Sequence, residues 1–244
     1  MQIHYKTDIG LMRRNNQDFC LCEKLSDTLA WAAVCDGMGG ANGGNVASSE
    51  ACNEISRILK EELRPDMDEQ DLFELMENAV LSANKKVFEM SCFDENLSGM
   101  GTTVELAVIS GDKLHVVHAG DSRVYKINSE GIKQITTDHS LVQQLVELGQ
   151  ITQEEARFHP SKNYITRALG VEPTLEIDYL TEPFEKGDIV LMCTDGLSNY
   201  FSNDELLSAV RSFEEKEEIV SGLVDIAKEC GGSDNITVAV IIND

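Results

Sequence analysis

Five aspartates stand where apolar, strand-like runs give way to loops, and small or amide residues surround most of them. They are Asp18 in Arg13-Arg14-Asn15-Asn16-Gln17-Asp18, Asp36 in Cys35-Asp36-Gly37-Met38-Gly39-Gly40, and Asp121 in Ala119-Gly120-Asp121-Ser122-Arg123. Asp195 in Cys193-Thr194-Asp195-Gly196-Leu197 and Asp234 in Gly232-Ser233-Asp234-Asn235-Ile236-Thr237 complete the set. Carboxylates this far apart in sequence meet only through the fold. An oxygen-only cluster of this kind suits hard divalent cations such as Mg²⁺ or Mn²⁺, and the chain reads as a metal-dependent hydrolase.

Each feature also has a plainer reading. A lone Asp-Gly is ordinarily a turn, and Gly120-Asp121-Ser122 between strands is ordinary turn chemistry too. The glycine-rich stretch 37–44 suggests a nucleotide loop but lacks the Lys-Ser/Thr that would follow its glycines. The reading preferred here is that these glycines let the backbone approach the metals closely. Arg13, beside Arg14, has a surface ion pair as its plain reading. Cys35 and Cys193 flank the aspartate motifs as buried apolar residues.

The elements that must carry these residues are partly legible. Trp31-Ala32-Ala33-Val34-Cys35 is a continuous apolar run, as in a buried strand. Strand-like segments at 104–109 and 114–118 flank Ser110-Gly111-Asp112-Lys113, which predicts a hairpin. Further strands are expected at 124–127, 189–193 and 236–242. Apolar residues at helical spacing predict a helix over 71–90. A second helix is expected over 47–63, ended by Arg64-Pro65. Thr152-Gln153-Glu154-Glu155 reads as a capping box opening a short helix, and a last helix over 217–230 stops at Gly231-Gly232. Together these predict packed sheets covered by helices.

Bulk properties bound the function. The 244 residues suffice for one domain with a sizeable core, and 42% hydrophobic with 26% charged residues is ordinary for a globular protein. The formal net charge is −23, from 43 acidic against 20 basic residues. No basic stripe of the kind that nucleic-acid binders present is visible; the excess acidity is mostly a solvated face. Seven cysteines form no Cys-x-x-Cys pair, so neither a zinc site nor a disulfide framework is expected. The N-terminus lacks the apolar stretch of a signal peptide, and no apolar run is long enough to span a bilayer. A cytoplasmic location is expected.

The motifs resemble those of the protein phosphatase 2C-like (PPM) family of metal-dependent serine/threonine phosphatases, in its compact bacterial form. The resemblance runs nearly end to end: Thr7-Asp8-Ile9-Gly10, Arg13-x-x-Asn16-Gln17-Asp18, Asp36-Gly37-Met38-Gly39-Gly40 and Gly99-Met100-Gly101-Thr102-Thr103. It continues through Ala119-Gly120-Asp121-Ser122-Arg123, Asp138-His139-Ser140, Thr166-Arg167-Ala168-Leu169-Gly170, Thr194-Asp195-Gly196 and Asp234-Asn235-x-Thr237. Any one of these would be weak; their common order gives the resemblance its force.

The resemblance implies an α+β fold, a four-layer α-β-β-α sandwich of two antiparallel sheets with the metal site at one end. It implies one domain over 1–244 with a flap subdomain at about 140–170. Asp36 would bridge two Mn²⁺ or Mg²⁺ ions, with the Gly37 carbonyl on the first and Asp195 and Asp234 on the second. Asp18 would help from the outer shell. Asp121, with Asp195, would form a weaker third metal position, and Arg13 would hold the substrate phosphate. The implied activity is hydrolysis of phosphoserine and phosphothreonine by direct attack of a metal-bridging hydroxide, in opposition to Ser/Thr kinases. Two metals suit that task because they lower the pKa of bound water and clamp the transferring group. Arg13 adds charge-assisted, orienting hydrogen bonds.

Two positions depart from the family pattern. Gln17 stands where many members have Glu, which weakens the negative charge available for metal. Met38 stands where eukaryotic members often carry a histidine proposed as general acid, so the leaving oxygen must take its proton from a metal-bound water or another group; for His139 the preferred reading is a structural histidine, with general acid as the alternative. His4, His115, His118 and His159 draw no assignment. The flap is expected to shape access for phosphoprotein substrates. The expected partners are phosphoproteins, with no nucleic acid and no membrane span, and the chain is expected to be a monomer. Two rival readings are a dedicated phosphatase of an anti-sigma-antagonist type regulator and a catalytically dead module that binds phosphoproteins.

Overall fold

Alternation of apolar side chains on two faces dictates the architecture. The computed structural model describes residues 1–244, with the side chains of residues 40–42 outside the description. One sheet holds β1 (Gln2–Asp8), β11 (Ile236–Ile242), β10 (Ile189–Cys193), β7 (Arg123–Ile127) and β8 (Ile132–Gln134), in that order. The other runs β2 (Asp18–Lys24), β3 (Leu29–Met38), β5 (Val104–Ser110), β6 (Lys113–Ala119) and β9 (Asp178–Pro183), with the short β4 (Gly101–Thr102) against the end of β3. Every ladder is antiparallel.

Strand β11 explains why the central strands read as unbroken apolar runs. Ile236, Val238, Val240 and Ile242 face a helix layer, while Ala239 and Ile241 face the opposite sheet. A strand covered on both faces needs apolar residues at every position. The helices α1 (Gly40–Glu62) and α2 (Glu69–Phe93) cover the second sheet through Ile55, Leu59, Met76 and Val80. The helices α6 (Asn203–Ser212) and α7 (Glu218–Glu229) cover the first through Leu206, Val210, Leu223 and Val224. The four-layer sandwich is thus as expected.

Several boundaries differ from the sequence reading. Helix α1 begins at Gly40, seven positions before the expected 47, because the glycine-rich stretch continues the helix instead of forming a free loop. At its start Gly43 and Gly44 donate their N–H groups to the Gly39 carbonyl. A Cβ at Gly44 would lie 2.6 Å from the Gly37 carbonyl oxygen and from Gln17 Nε2. The described glycines therefore permit close approach of the helix start to the Gly37 strand end.

Strands β1, β2 and β9 and helices α3 (Leu141–Glu147), α5 (Asp195–Ser198) and α6 have no counterpart among the expected elements. Strands β1 and β9 lie at sheet edges, where half-exposed positions dilute the apolar pattern. Helix α6 opens with a capping box of Ser202 and Glu205, a signal as legible as the one at Thr152, which does open α4 (Gln153–Phe158).

Candidate active site

The fold delivers four of the five aspartates to one cavity. Asp36 lies near the end of β3, where β4 pairs with Gly37 and Met38. Asp121 sits in the β6–β7 connection, Asp195 lies two residues after the end of β10, and Asp234 lies two residues before the start of β11. Together with Arg13 and Gly37 they line a cavity of about 330 Å³. Asp18, the first residue of β2, is buried behind it, opposite Asp36 in the β2–β3 ladder.

The Asp36 backbone and the Asp195 and Asp18 carboxylates are positioned by identifiable bonds. The Asp36 N–H donates to Thr103 Oγ1 at 3.0 Å, and its carbonyl accepts from the Thr103 N–H and from Thr102 Oγ1, each at 2.9 Å. Asn199 Nδ2 donates to Asp195 Oδ2 at 3.0 Å. Thr194 Oγ1 donates to Asp18 Oδ2 at 2.9 Å and accepts the Thr237 N–H at 3.0 Å. Asn235 pins the N-terminal loop: its Nδ2 donates to the carbonyls of Ile9 and Asn15, and its Oδ1 accepts the Gln17 N–H. The Gln17 carbonyl in turn accepts the Gly37 N–H at 3.1 Å.

The electrostatics are those of a cation site. Burial, then repulsion from Asp18, Asp195, Asp121 and Asp234, pushes the Asp36 carboxyl well above the usual range. Burial and Asp195 do the same to Asp121. Asp195 is pushed up to about 6 by burial and by Asp234, and Asp18 to about 7, chiefly by burial. Asp18 Oδ1 is buried and has no hydrogen-bond partner among the described residues. Like charges crowded in partial burial resist ionisation together unless a cation neutralises them, and the donors here are all hard oxygens. The residues therefore fit Mg²⁺ or Mn²⁺. Among the described residues, no three or more His, Cys, Asp or Glu side chains come close enough together to hold a metal ion by themselves.

Arg13 reaches into the same cavity and forms an ion pair with Asp234 at 2.7 Å. That hydrogen bond raises its pKa, with Asp195 and Asp36 adding smaller contributions. Asp121 and Asp195 also line a small adjoining cavity with Arg123, Asp138, Lys162 and Asn199. His139 lies outside the main cavity. Its Nδ1 accepts the Gly120 N–H at 3.1 Å, and its Nε2 faces Asp178 Oδ2 at 3.2 Å and Arg167 Nη1 at 3.0 Å. Burial lowers its pKa, as do His118 and Arg167. These bonds hold His139 in a network outside the main cavity.

Sequence reasoning missed Thr103, Thr194 and Asn199, which orient the aspartates, and Lys162 and Asn163 of the 140–170 segment. The first two sit beside Asp36 and Asp195 motifs and were available as Gly101-Thr102-Thr103 and Thr194-Asp195-Gly196. Asn199 lies one helical turn after Asp195, a spacing that brings side chains together.

A sequence profile described as protein phosphatase 2C matches residues 13–225. Protein phosphatase PhpP of Streptococcus pneumoniae is 36% identical, over 99% of this chain and 97% of its own length. The structure of the S. agalactiae serine/threonine phosphatase superposes with a TM-score of 0.90 at 33% identity, covering 100% of this chain and 99% of that one. The catalytic domain of the serine/threonine protein phosphatase PstP, solved in complex with two manganese ions, gives a TM-score of 0.85 at 33% identity, covering 98% and 96%.

Proposed function

The chain belongs to the protein phosphatase 2C family and is a protein-serine/threonine phosphatase; from that premise we propose how its own residues hydrolyse phosphoserine and phosphothreonine. Asp36, Asp195 and Asp234, with the Gly37 carbonyl, would hold two Mn²⁺ or Mg²⁺ ions, and Asp121 with Asp195 would hold a third more weakly. When bound, these ions lower the pKa of a coordinated water and neutralise phosphate charge. The observation that carries this reading is the shared cavity of Asp36, Asp121, Asp195, Asp234 and Arg13.

The residues divide the work. Thr103 anchors the Asp36 backbone and Asn199 orients the Asp195 carboxylate, which limits the reorganisation that accompanies reaction. Asp18 adds negative charge from behind the ladder. Arg13, poised on Asp234, exchanges that carboxylate for the substrate phosphate and orients it for in-line displacement. No side-chain nucleophile is needed, and no covalent phosphoenzyme forms.

Opposition to Ser/Thr kinases, a cytoplasmic location and a monomeric state complete the proposal. All seven cysteines are free thiols, which suits a reducing compartment, and among the described residues no helix is long and apolar enough to cross a membrane. The experiment is phosphate release from a phosphothreonine peptide with Mn²⁺ and with excess EDTA, using Asp36→Asn alongside. Turnover that needs Mn²⁺ and vanishes in the variant is expected; turnover that survives EDTA would overturn the metal assignment.

A further inference from the structure

A second, larger cavity of about 800 Å³ adjoins the catalytic one, and the two share Met38 and Ile165 in their walls. Its floor is apolar. The Met38 and Val171 side chains converge over Gly101, where an added Cβ would lie 2.9 Å from Met38 Cε and 2.8 Å from Val171 Cγ2. Leu175 continues the apolar surface. Val171 keeps 49% of its surface exposed, an apolar side chain left open beside a catalytic cavity.

The groove is built as a fixed wall. Leu169 exchanges N–H and carbonyl hydrogen bonds with Thr102 at 2.8 and 2.9 Å. Buried Asn84 of α2 accepts the Gly170 N–H at 2.7 Å and donates to the Glu172 carbonyl at 3.1 Å. These bonds hold the segment after Leu169 in place without any ligand.

Its rim is acidic. Glu172 and Glu176 are exposed carboxylates that line the groove. The one cation of the lining, Arg167, is taken by Asp178 at 2.8 Å and reaches Glu176 at 3.5 Å. Among the described residues Glu172 has no ion pair. Apolar floor, acidic rim and continuity with the catalytic cavity specify one occupant.

We propose that this groove binds the polypeptide flanking the phosphorylated residue, an apolar side chain packing on Met38, Ile165, Val171 and Leu175 and a Lys or Arg facing Glu172 and Glu176. The inference rests on the phosphatase reading of the neighbouring cavity. It makes the enzyme selective for phosphoserine and phosphothreonine next to apolar and basic residues, a selectivity carried by the groove and not by the catalytic carboxylates.

The test uses the full chain with Mn²⁺ and three sets of phosphothreonine peptides, with Leu-Lys, Leu-Glu or Gly-Gly placed on either side of the phosphoresidue. For the unmodified enzyme kcat/KM for the better Leu-Lys placement should exceed that for Leu-Glu by about five- to tenfold, the scale of two exposed charge contacts. The Gly-Gly peptides should fall below Leu-Lys. Glu172→Lys/Glu176→Lys should invert the Lys-to-Glu ratio, and the milder Glu172→Gln/Glu176→Gln should bring it near one. The same charge change at Glu214 and Glu215, exposed residues between α6 and α7, should leave the ratio as it was. Equal turnover of all peptides, a ratio indifferent to the groove variants, or an equal response to the Glu214/Glu215 control would overturn the proposal. Absence of turnover on every peptide and on p-nitrophenyl phosphate would instead count against the phosphatase reading.

Discussion

Asp18 and Asp36 are direct partners across the β2–β3 ladder, so two carboxylates are built into adjacent strands at the same end of the sandwich. One Asp18 oxygen is bonded to Thr194 and the other is buried without a partner among the described residues. A buried, unpartnered carboxylate oxygen costs folding free energy, a cost that a role beside the proposed cation site would account for.

Asp18→Asn should therefore separate stability from metal binding. In EDTA the variant should melt above the unmodified protein, by about 2–4 °C for each kcal/mol of repulsion relieved. Added Mn²⁺ should raise its melting temperature less than it raises that of the unmodified protein, since the ion stabilises in proportion to its affinity. Calorimetry with and without Mn²⁺ checks both; an identical Mn²⁺-induced shift in the two proteins would remove Asp18 from the site.

Asp36→Asn and Asp195→Asn should each lower turnover by about a hundredfold or more, because outer-shell partners alone are worth about 10–100-fold. Asn199→Ala, which removes the 3.0 Å hydrogen bond to Asp195 Oδ2, belongs to that outer-shell range. Steady-state rates at several Mn²⁺ concentrations check the set. The Asn199→Ala loss should be partly recovered at high Mn²⁺, and wild-type-like rates in either aspartate variant would overturn the assignment.

The aspartates were legible because each sits in a short motif at a strand end, and the strands around them, β3, β10 and β11, are apolar on both faces. What surrounds them was not. Edge strand β1 pairs only with β11 and alternates weakly. Helix α5 has four residues and no periodicity to detect. The Arg13–Asp234 pair joins residues 221 apart in sequence, a contact that only strand pairing of the two ends creates. The groove beside Met38 depends on Asn84, Thr102 and Leu169 meeting, and none of those positions carries a local signal for the others.

Arg13→Ala should chiefly raise KM for a phosphopeptide, by about 10–100-fold if it removes one charge-assisted contact of about 1.5–3 kcal/mol. Arg13→Lys should recover part of the loss, since an ammonium keeps the charge but not the planar fork. Because Arg13 is held by Asp234 at 2.7 Å, its removal also frees that carboxylate. Full kinetic curves for both variants decide the matter: a fall in kcat with KM unchanged would place Arg13 in transition-state stabilisation instead.

Behind the site, Glu105 and His118 form a fully buried pair with Glu105 Oε1 2.9 Å from His118 Nδ1. His118 Nε2 faces the Thr137 carbonyl at 2.9 Å and so carries a hydrogen, which leaves one further proton shared between Nδ1 and the carboxyl. Burial alone would lower the His118 pKa, but the hydrogen bond and charge of Glu105 outweigh it and raise it above 6.5. Burial raises Glu105 above its ordinary 4.5. Both shifts have the same sign. A raised folded-state pKa gives stability that is fully present below the unfolded value and is lost as pH rises through the folded one. The window thus opens at 4.5 with Glu105 and extends beyond 6.5 with His118. Glu105→Gln, which breaks the buried pair, should cost about 3–5 kcal/mol on the acid side. That deficit relative to the unmodified protein should shrink as pH rises past neutrality. Denaturant unfolding of both proteins between about pH 5 and 9 measures it. A deficit that stays constant across that range would mean that the pair does not hold its proton in the folded state. Thr103 links the pair to the Asp36 N–H and to Ser122 beside Asp121, so the same variant should also weaken Mn²⁺ activation.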